Sequence, residues 1–375
     1  DEGWNDLANT AFCLALFKQL DEDKKSSNVF YSPLSISSAL AMVMLGARAN
    51  TATQMSECLK AQDDVHVKFS KLIKELNKAG APYSLSLANR LYGDQSYQFG
   101  FLADTKKHYD AKLKSVDFKA SAETARININ NWVEKQTQDK IKDLLAPGVV
   151  DSMTRLVLVN AIYFKGNWDR KFDADLTKDA QFKLNKNENK PVKMMYQTAE
   201  FPLTYIREVN CQILELPYKG KDLSMLIFLP YEMEDDTTGL EKLEKELTYE
   251  KFVEWTQPHK MYTVEVDVGL PRFKMEESYN LKDILTRMGM VDAFDVRMSD
   301  FSGMSPANDL VLSQVVHKAF VEVNEEGTKA AAATTSDIML CCGIPTFIAD
   351  HPFLFFIRHK PSMSVLFAGR FCSPA

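Results

Sequence analysis

The chain has 375 residues, which is enough to bury a large core, and this length alone would predict two or three domains. Its 45% hydrophobic and 26% charged residues are ordinary for a globular protein, and no apolar run approaches the ~18 residues that a membrane-spanning helix needs. The net charge of −6 argues against a general attraction to nucleic acid or to an anionic membrane.

The first third of the chain is predicted to be mainly helical. Ser32-Pro33 is typical of a helix start, and Gly46 is placed to end that helix. A second helix is predicted where apolar residues recur at helical spacing from Val65 to Leu76, before Gly80. Four lysines of this segment also recur at helical spacing and could bind a polyanion, but the acidic balance favours an ordinary solvated face: Lys68, Lys71, Lys74 and Lys78.

From about residue 155 strands dominate. The run at 156–164 is too apolar for a half-exposed strand and should be covered on both faces. Segments 211–216 and 223–229 flank a turn and predict a hairpin. Further strands are predicted at 264–270, 310–324, 353–357 and 364–371. Helices in front and strands behind, without regular alternation, indicate an α+β protein.

Two polar residues interrupt predicted core strands. Asn160 lies in the most apolar strand, and His317 lies within Val315-Val316-His317. A buried amide or imidazole without partners costs about 1–3 kcal/mol, so both are expected to be hydrogen-bonded in a core network. Neither a nucleophile elbow nor a metal-binding histidine spacing accompanies them, so we expect no catalytic site, no metal and no cofactor.

Cysteine usage predicts the compartment. The six cysteines are single apart from one adjacent pair, which suggests neither a disulfide framework nor a metal site. The first residues lack the basic and apolar regions of a signal peptide, and the chain contains no Asn-x-Ser/Thr sequon. We therefore expect a cytoplasmic protein with reduced thiols; release without a signal peptide, or a signal peptide already removed, stays open. The cysteines are Cys13, Cys58, Cys211, Cys341, Cys342 and Cys372.

The segment at about 325–345 joins two predicted strands and buries little. Long connections of this kind in compact proteins tend to be functional. Read with period two, Thr328, Ala330 and Ala332 share a small-residue face, whereas Lys329 lies on the opposite face. Gly327 would supply a flexible hinge. The pattern fits a segment that can be either an exposed loop or a buried strand, although a plain surface loop remains an alternative.

At this point the sequence resembles the serpin family. Residues 323–328 (VNEEGT), followed by alanines, resemble the serpin hinge, and 28–36 (NVFYSPLSI) resemble an early helix. Residues 158–168 (LVNAIYFKGNW) resemble the central strand of the family, and 350–353 (DHPF) and 366–371 (LFAGRF) resemble its closing strands. The resemblance extends over nearly the whole chain and is closest to the ovalbumin-related intracellular branch.

The resemblance implies one serpin domain over residues 1–375, with roughly three sheets, eight or nine helices and an exposed reactive-centre loop at about 325–345. It implies a monomeric suicide inhibitor of serine proteases rather than an enzyme. The scissile bond would join Cys341 to Cys342. A small apolar Cys341 suits elastase-like or chymotrypsin-like pockets, and oxidation of the adjacent thiols could switch inhibition off. A non-inhibitory storage or chaperone serpin, cleaved as a substrate, is the alternative.

The resemblance also assigns residue roles. Ser32, Ser35, Asn160 and His317 match the positions called the shutter, beneath the place where the main sheet must part, and Trp168 matches the breach at the top of that opening. Lys329 stands where inhibitory members usually carry Glu, but it would face solvent after insertion. The hinge residues are Glu325, Glu326, Gly327, Thr328, Lys329, Ala330, Ala331, Ala332 and Ala333.

Overall fold

The computed structural model describes residues 7–23, 26–62, 64–97, 107–109, 113–330 and 343–375. Eight α-helices lie within these ranges. The second begins as the sequence predicts, because the Ser32 side chain accepts the N–H of Ser35 and Pro33 occupies the first turn. The helices are α1 (Leu7–Asp23), α2 (Pro33–Met44), α3 (Ala49–Leu59), α4 (Val65–Leu76), α5 (Phe118–Gln136), α6 (Glu241–Glu246), α7 (Tyr249–Trp255) and α8 (Lys282–Arg287).

A five-stranded sheet carries the most apolar strand of the chain. In sheet order its strands are β11 (Phe273–Asn280), β12 (Leu312–Val323), β4 (Leu156–Gly166), β2 (Tyr83–Asp94) and β3 (Leu113–Val116). β4 runs antiparallel to β2 but parallel to β12, although residues 167–311 separate β4 from β12 along the chain. A parallel pair of this kind places the same ends of both strands together.

A larger sheet has nine strands, most of which come from the second half of the chain. It contains both predicted hairpin strands and both predicted closing strands. Its path is β1 (Val29–Tyr31), β16 (Ser364–Phe371), β15 (Phe353–His359), β9 (Leu223–Pro230), β8 (Cys211–Pro217), β7 (Asn189–Ile206), β10 (Tyr262–Pro271) and β14 (Thr346–Ile348), with β6 (Lys178–Lys183) paired to β7.

A short two-stranded ladder lies beside these sheets. It pairs β5 (Trp168–Lys171), which directly follows β4, with β13 (Gly327–Ala330), which follows β12 by a short turn. The two strands are parallel, with Gly327 opposite Trp168 and Ala330 opposite Lys171. The start of the predicted loop is therefore paired outside the five-stranded sheet.

The strand β4 is covered on both faces, as its composition predicts. Leu158, Ile162 and Phe164 belong to the main core, in which α2 packs. Val159 and Tyr163, on the alternate face, belong to a second core formed with α5 and the segment after it. In the part of the chain that the structure describes, no helix is both long enough and apolar enough to cross a membrane.

Candidate functional site

The line along which β4 and β12 meet, which we call the seam, runs through the middle of the five-stranded sheet. The pairing extends from Leu312 opposite Leu156 to Glu322 opposite Lys165. Both strands point the same way, so a segment that turned back after β12 could lie between them antiparallel to each. Such a strand would replace one parallel pairing with two antiparallel ones, which are slightly more stable per residue.

A buried polar network lies beneath the middle of the seam. His317 and Asn160 are directly opposite each other across it. The His317 Nδ1–H donates to Asn160 Oδ1 at 2.7 Å, and the Ser32 backbone N–H donates to His317 Nε2 at 3.1 Å. The Ser35 hydroxyl donates to the same Asn160 oxygen at 2.9 Å. The four residues that resemble the shutter are thus brought together, and α2 is joined to both strands.

The network fixes the protonation state of the histidine. Because Nε2 accepts a hydrogen bond from a backbone N–H, it must keep its lone pair, and the ring is neutral. Burial lowers the pKa of His317 to about 3. A proton on Nε2 would break its hydrogen bond with the Ser32 N–H. His317 therefore has a structural role and does not act as a general base at neutral pH.

The other face of the seam is crossed by the segment that follows α5. The Lys318 ammonium donates to the Lys142 carbonyl at 2.7 Å, and Lys140 pairs with Glu322 at 3.6 Å. The Tyr163 hydroxyl of β4 also donates to the Glu322 carboxylate of β12. Burial alone would raise the pKa of Glu322, but hydrogen bonds from Tyr163 and Lys274 outweigh it and lower the pKa. The contact between Tyr163 and Glu322 joins the two strands across the seam, and the two lysine contacts hold the segment after α5 against β12.

Trp168 lies at the end of the seam, where the resemblance places the breach. Its indole N–H donates to the Asn324 carbonyl at 2.8 Å, and its backbone N–H donates to the Glu326 carbonyl at 3.0 Å. Its ring stacks on Tyr218 with 4.5 Å between centroids. The tryptophan therefore holds the turn that leaves β12 against the strand that follows β4.

Glu325 is clamped at the same end. Its carboxylate accepts the Thr177 hydroxyl at 2.6 Å and pairs with Arg272 at 3.4 Å, while its side chain is only 13% exposed. Neither Thr177 nor Arg272 is predicted from the sequence, because both are far from residue 325 along the chain and carry no local pattern. Glu326, in contrast, is 60% exposed and pairs with Lys165.

Gly327 is needed for close packing. A Cβ at this position would lie 2.7 Å from both the Lys171 Cα and the Trp168 carbonyl oxygen, which are backbone atoms that cannot move aside cheaply. Only glycine therefore allows β13 to approach β5. This requirement is additional to the flexibility expected at the hinge.

The remaining predicted loop residues lie outside the described structure. These are Ala331, Ala332, Ala333, Cys341 and Cys342, and the side chains of 328–330 are likewise not described. The chain is described again from Gly343. There, the Asp267 N–H of β10 donates to the Pro345 carbonyl at 2.9 Å, and β14 adds to β10 in parallel. The two ends of the predicted loop are thus attached to different sheets.

The other candidate groups are structural. Cys13, Cys58, Cys211 and Cys372 are buried and unpaired, and burial raises the pKa of Cys13 and Cys372 to about 12 and that of Cys58 to about 11. Such thiols are poor nucleophiles. In the lysine series of α4, Lys68 pairs with Asp64, and Lys78 pairs with Glu75 and Asp222, which fits a solvated face.

The fold and this site define a class of protein. Residues 7–374 match the family model described as serpin (serine protease inhibitor), and the chain belongs to that family of inhibitors rather than to a family of enzymes.

Among its relatives, leukocyte elastase inhibitor of Equus caballus is 56% identical over 373 residues, and that of Homo sapiens is 54% identical, each alignment covering 98% of both chains. The crystal structure of uncleaved ovalbumin is also similar, with a TM-score of 0.94 at 39% identity, covering 99% of this chain and 100% of that one. The expected α+β serpin fold and the ovalbumin-type branch are confirmed.

Proposed function

We propose that this protein is a suicide inhibitor of elastase-like and chymotrypsin-like serine proteases, which cleave it between Cys341 and Cys342. Two kinds of observation support the proposal. The relatives are named as inhibitors of leukocyte elastase. A strand inserted at the seam would lie between β4 and β12, which already run parallel to each other. The small, apolar Cys341 side chain suits the primary pocket of such enzymes.

The covalent step is that of ordinary proteolysis. The protease serine oxygen attacks the Cys341 carbonyl carbon, and the bond to the Cys342 nitrogen breaks. A proton passes to the departing amine through the histidine of the protease, and Cys341 remains as an ester on the serine. The inhibitor supplies the bait bond, and the protease supplies all the catalytic groups.

Cleavage frees the upstream part of the loop to enter the seam. Residues 328–340 would form a strand antiparallel to β4 and β12, carrying the tethered protease about 43 Å at ~3.3 Å per residue. About a dozen new backbone hydrogen bonds, at ~0.5–1.5 kcal/mol each, supply on the order of 10 kcal/mol. That free energy can distort the protease before water hydrolyses the ester. Serpin loop insertion is itself an established example of such a transition.

The groups along the seam take defined parts in this proposal. The hydrogen bond between His317 and Asn160 must break, and so must the contacts of Glu322 with Tyr163 and Lys140. The clamp on Glu325 must yield at the end where insertion begins. These contacts hold the seam closed in the intact chain, and their sum sets how readily it opens.

A non-inhibitory serpin is the second candidate. Insertion would be slow if the inward face of the loop carried bulky or charged residues, and the chain would then be cleaved as an ordinary substrate. Thr328, Ala330 and Ala332 are small or apolar, which favours inhibition. We further propose one domain over residues 1–375 and a monomeric state. We also propose a cytoplasmic location, which the cysteine usage supports.

The proposal is tested by mixing the protein with elastase and analysing the products on a denaturing gel. A stable covalent band at the combined mass is expected, with chymotrypsin giving the same band and trypsin a much slower reaction. Quantitative cleavage at 341–342 without that band would support the substrate alternative. Absence of both cleavage and complex would contradict the assigned bond.

A further inference from the structure

A cleft of about 450 Å³ lies between α5 and the edge of the five-stranded sheet. Its floor is formed by β2 and β3, and its roof is formed by residues of α5 between Ser121 and Trp132. All of its lining residues belong to the described ranges. This volume is within the range of about 300–1,000 Å³ that small-molecule sites occupy. None of the lining residues belongs to β4, β12 or the start of the predicted loop, so the function of the cleft is a separate question.

Arg90 of β2 is the central charged group of the cleft. Its guanidinium carbon lies 3.9 Å from the centroid of the Trp132 ring and 5.6 Å from that of Tyr92. The two rings therefore fix the orientation of the guanidinium. To the residues that the structure describes, the Arg90 side chain makes a single hydrogen bond, from Nη1 to the Tyr92 hydroxyl at 3.3 Å, although a guanidinium has five N–H donors.

The two cations of the cleft, Arg90 and Lys114, are not paired with carboxylates in the described part of the chain. Within the described residues, neither Arg90 nor Lys114 takes part in an ion pair, whereas Arg126 of α5, which does not line the cleft, pairs with Glu123. Asp117 is the one acidic residue in the lining, and its carboxylate already accepts the N–H of Ala120 at 3.0 Å. Two cations and one carboxylate thus line a common space, and the excess of positive charge favours an anionic ligand.

The remaining walls add selectivity. Ser121, Thr124 and Asn128 of α5 line the cleft and contribute hydroxyl and amide groups to it. Ala125 and Ile129, from the same helix, are buried and provide apolar surface beside the aromatic rings. A ligand that fits must combine a charged head with a flat apolar body.

We propose that this cleft binds a small amphipathic oxyanion, with its phosphate or carboxylate on Arg90 and Lys114 and its apolar body against Ala125, Ile129 and Trp132. An oxyanion accepts two parallel hydrogen bonds from a guanidinium fork, and the fork is already oriented by its stacking on the indole. The proposal is independent of protease inhibition, because none of its residues takes part in the seam or the clamp.

The test is calorimetric titration of the intact protein with 1-naphthyl phosphate, 1-naphthoate and uncharged 1-naphthol. Wild-type protein should bind at least one of the two anions with micromolar to submillimolar affinity, and 1-naphthol at least about tenfold more weakly. The phosphate and carboxylate arms identify the preferred head. Equal affinity for 1-naphthol, or no binding of either anion, would overturn the proposal.

Variants locate the binding site. Arg90→Gln should weaken anion binding by at least about tenfold, and Lys114→Gln, an exposed position that leaves folding undisturbed, by about three- to tenfold. Arg155→Gln is the matched control, since Arg155 also lies over a tyrosine ring, Tyr97, but outside the cleft. Unchanged affinity in Lys114→Gln, or an equal loss in Arg155→Gln, would contradict the assignment even if Arg90→Gln failed to fold.

Discussion

At the scale of single residues, the seam shows how a polar group can be tolerated in a core. His317 is fully buried, yet each ring nitrogen has a partner of the right kind: an acceptor for Nδ1 and a donor for Nε2. Asn160 Oδ1 uses both of its lone pairs, on His317 and on Ser35. A complete network of this kind avoids the cost of unpaired buried groups and specifies one register for the two strands.

His317 should make the stability of the protein pH-dependent. The unfolded chain binds a proton near pH 6.5, whereas the folded chain stays neutral until about pH 3, so acid favours the unfolded state between these values. The free energy of unfolding should therefore fall by about 2 kcal/mol through this group between pH 6.5 and pH 5. Urea unfolding at both pH values should show a smaller loss for His317→Gln than for wild type.

The exposed His259 provides the control for that comparison. His259→Gln should keep the wild-type difference between the two pH values. If His317→Gln and wild type lose the same free energy on acidification, His317 is not the neutral, buried group described above.

Thr328→Arg tests the register of insertion at the first inward position. Burying an unpaired guanidinium in the sheet costs far more than ~1.4 kcal/mol, which is the increase in barrier that slows a step tenfold. Hydrolysis of the ester should therefore be faster than insertion of the loop. The variant should be cleaved at the same bond and yield mostly free, active elastase, as measured by the number of inhibitor molecules consumed per enzyme inhibited. Lys329→Arg, one position along on the outward face, should inhibit as wild type does; a reversed outcome would shift the register by one residue.

At the scale of elements, the hinge is fastened by contacts of unequal strength. The Glu325 carboxylate is mostly buried and bonds to Thr177 and Arg272, whereas the Glu326 carboxylate is exposed and pairs with Lys165. Buried, charge-assisted hydrogen bonds contribute more than exposed ion pairs, which are screened by water and salt. The turn after β12 is therefore held mainly through Glu325.

Glu325→Ala should lower the free energy of unfolding by about 1–3 kcal/mol, because Thr177 and Arg272 lose their shared partner. Glu326→Ala, the adjacent control, should change it by less than about 1 kcal/mol. Denaturant midpoints of the two variants measured side by side provide the comparison. Equal effects would mean that the clamp does not hold the hinge.

Elements with a strong local signal could be predicted from the sequence, and the others could not. The apolar β4, the hairpin β8–β9 and the closing strands β15 and β16 were predicted within a few residues, because dense or alternating apolar residues identify buried strands. Strand β7 and helix α5 were missed. Asn189–Ile206 mixes polar and apolar residues without one period, and α5 carries many polar residues on its solvent side.

The same distinction holds for the site. Asn160 and His317 stand out because they are polar within apolar strands, and Ser32 because it caps a helix. Thr177 and Arg272 contact Glu325 only through the tertiary fold, and no local pattern indicates them. Arg90 and its cleft were missed for the same reason: the stacking on Trp132 joins a strand to a helix more than forty residues away.

At the scale of the whole molecule, the proposal requires the intact chain to be less stable than the cleaved one. The five-stranded sheet would become six-stranded and gain about a dozen hydrogen bonds, which together contribute on the order of 10 kcal/mol. This gain is similar in size to the whole free energy of unfolding of an ordinary protein. Cleavage of one peptide bond usually lowers the stability of a folded protein, but cleavage of this loop should raise it.

Cleavage within the loop should therefore raise the melting temperature by about 10–15 °C. Differential scanning calorimetry of the intact chain and of the chain nicked by catalytic elastase measures the difference. Thr328→Arg, nicked in the same way, should gain much less. An unchanged melting temperature after cleavage of the wild-type loop would show that insertion releases no useful free energy.

The attachment of β14 to β10 has a consequence for how a newly made chain matures. Residues leave the ribosome in order, so β4 and β12 are available before the last thirty residues, 346–375, have emerged. During that interval the stretch after β12 is secured at one end only, so under the proposed mechanism only the contacts of the seam and of Glu325 would oppose its insertion without cleavage. Under the proposed mechanism, the rate at which the C-terminal strands dock determines whether a newly made chain folds to the uninserted, inhibitory form or to an inserted, inactive form.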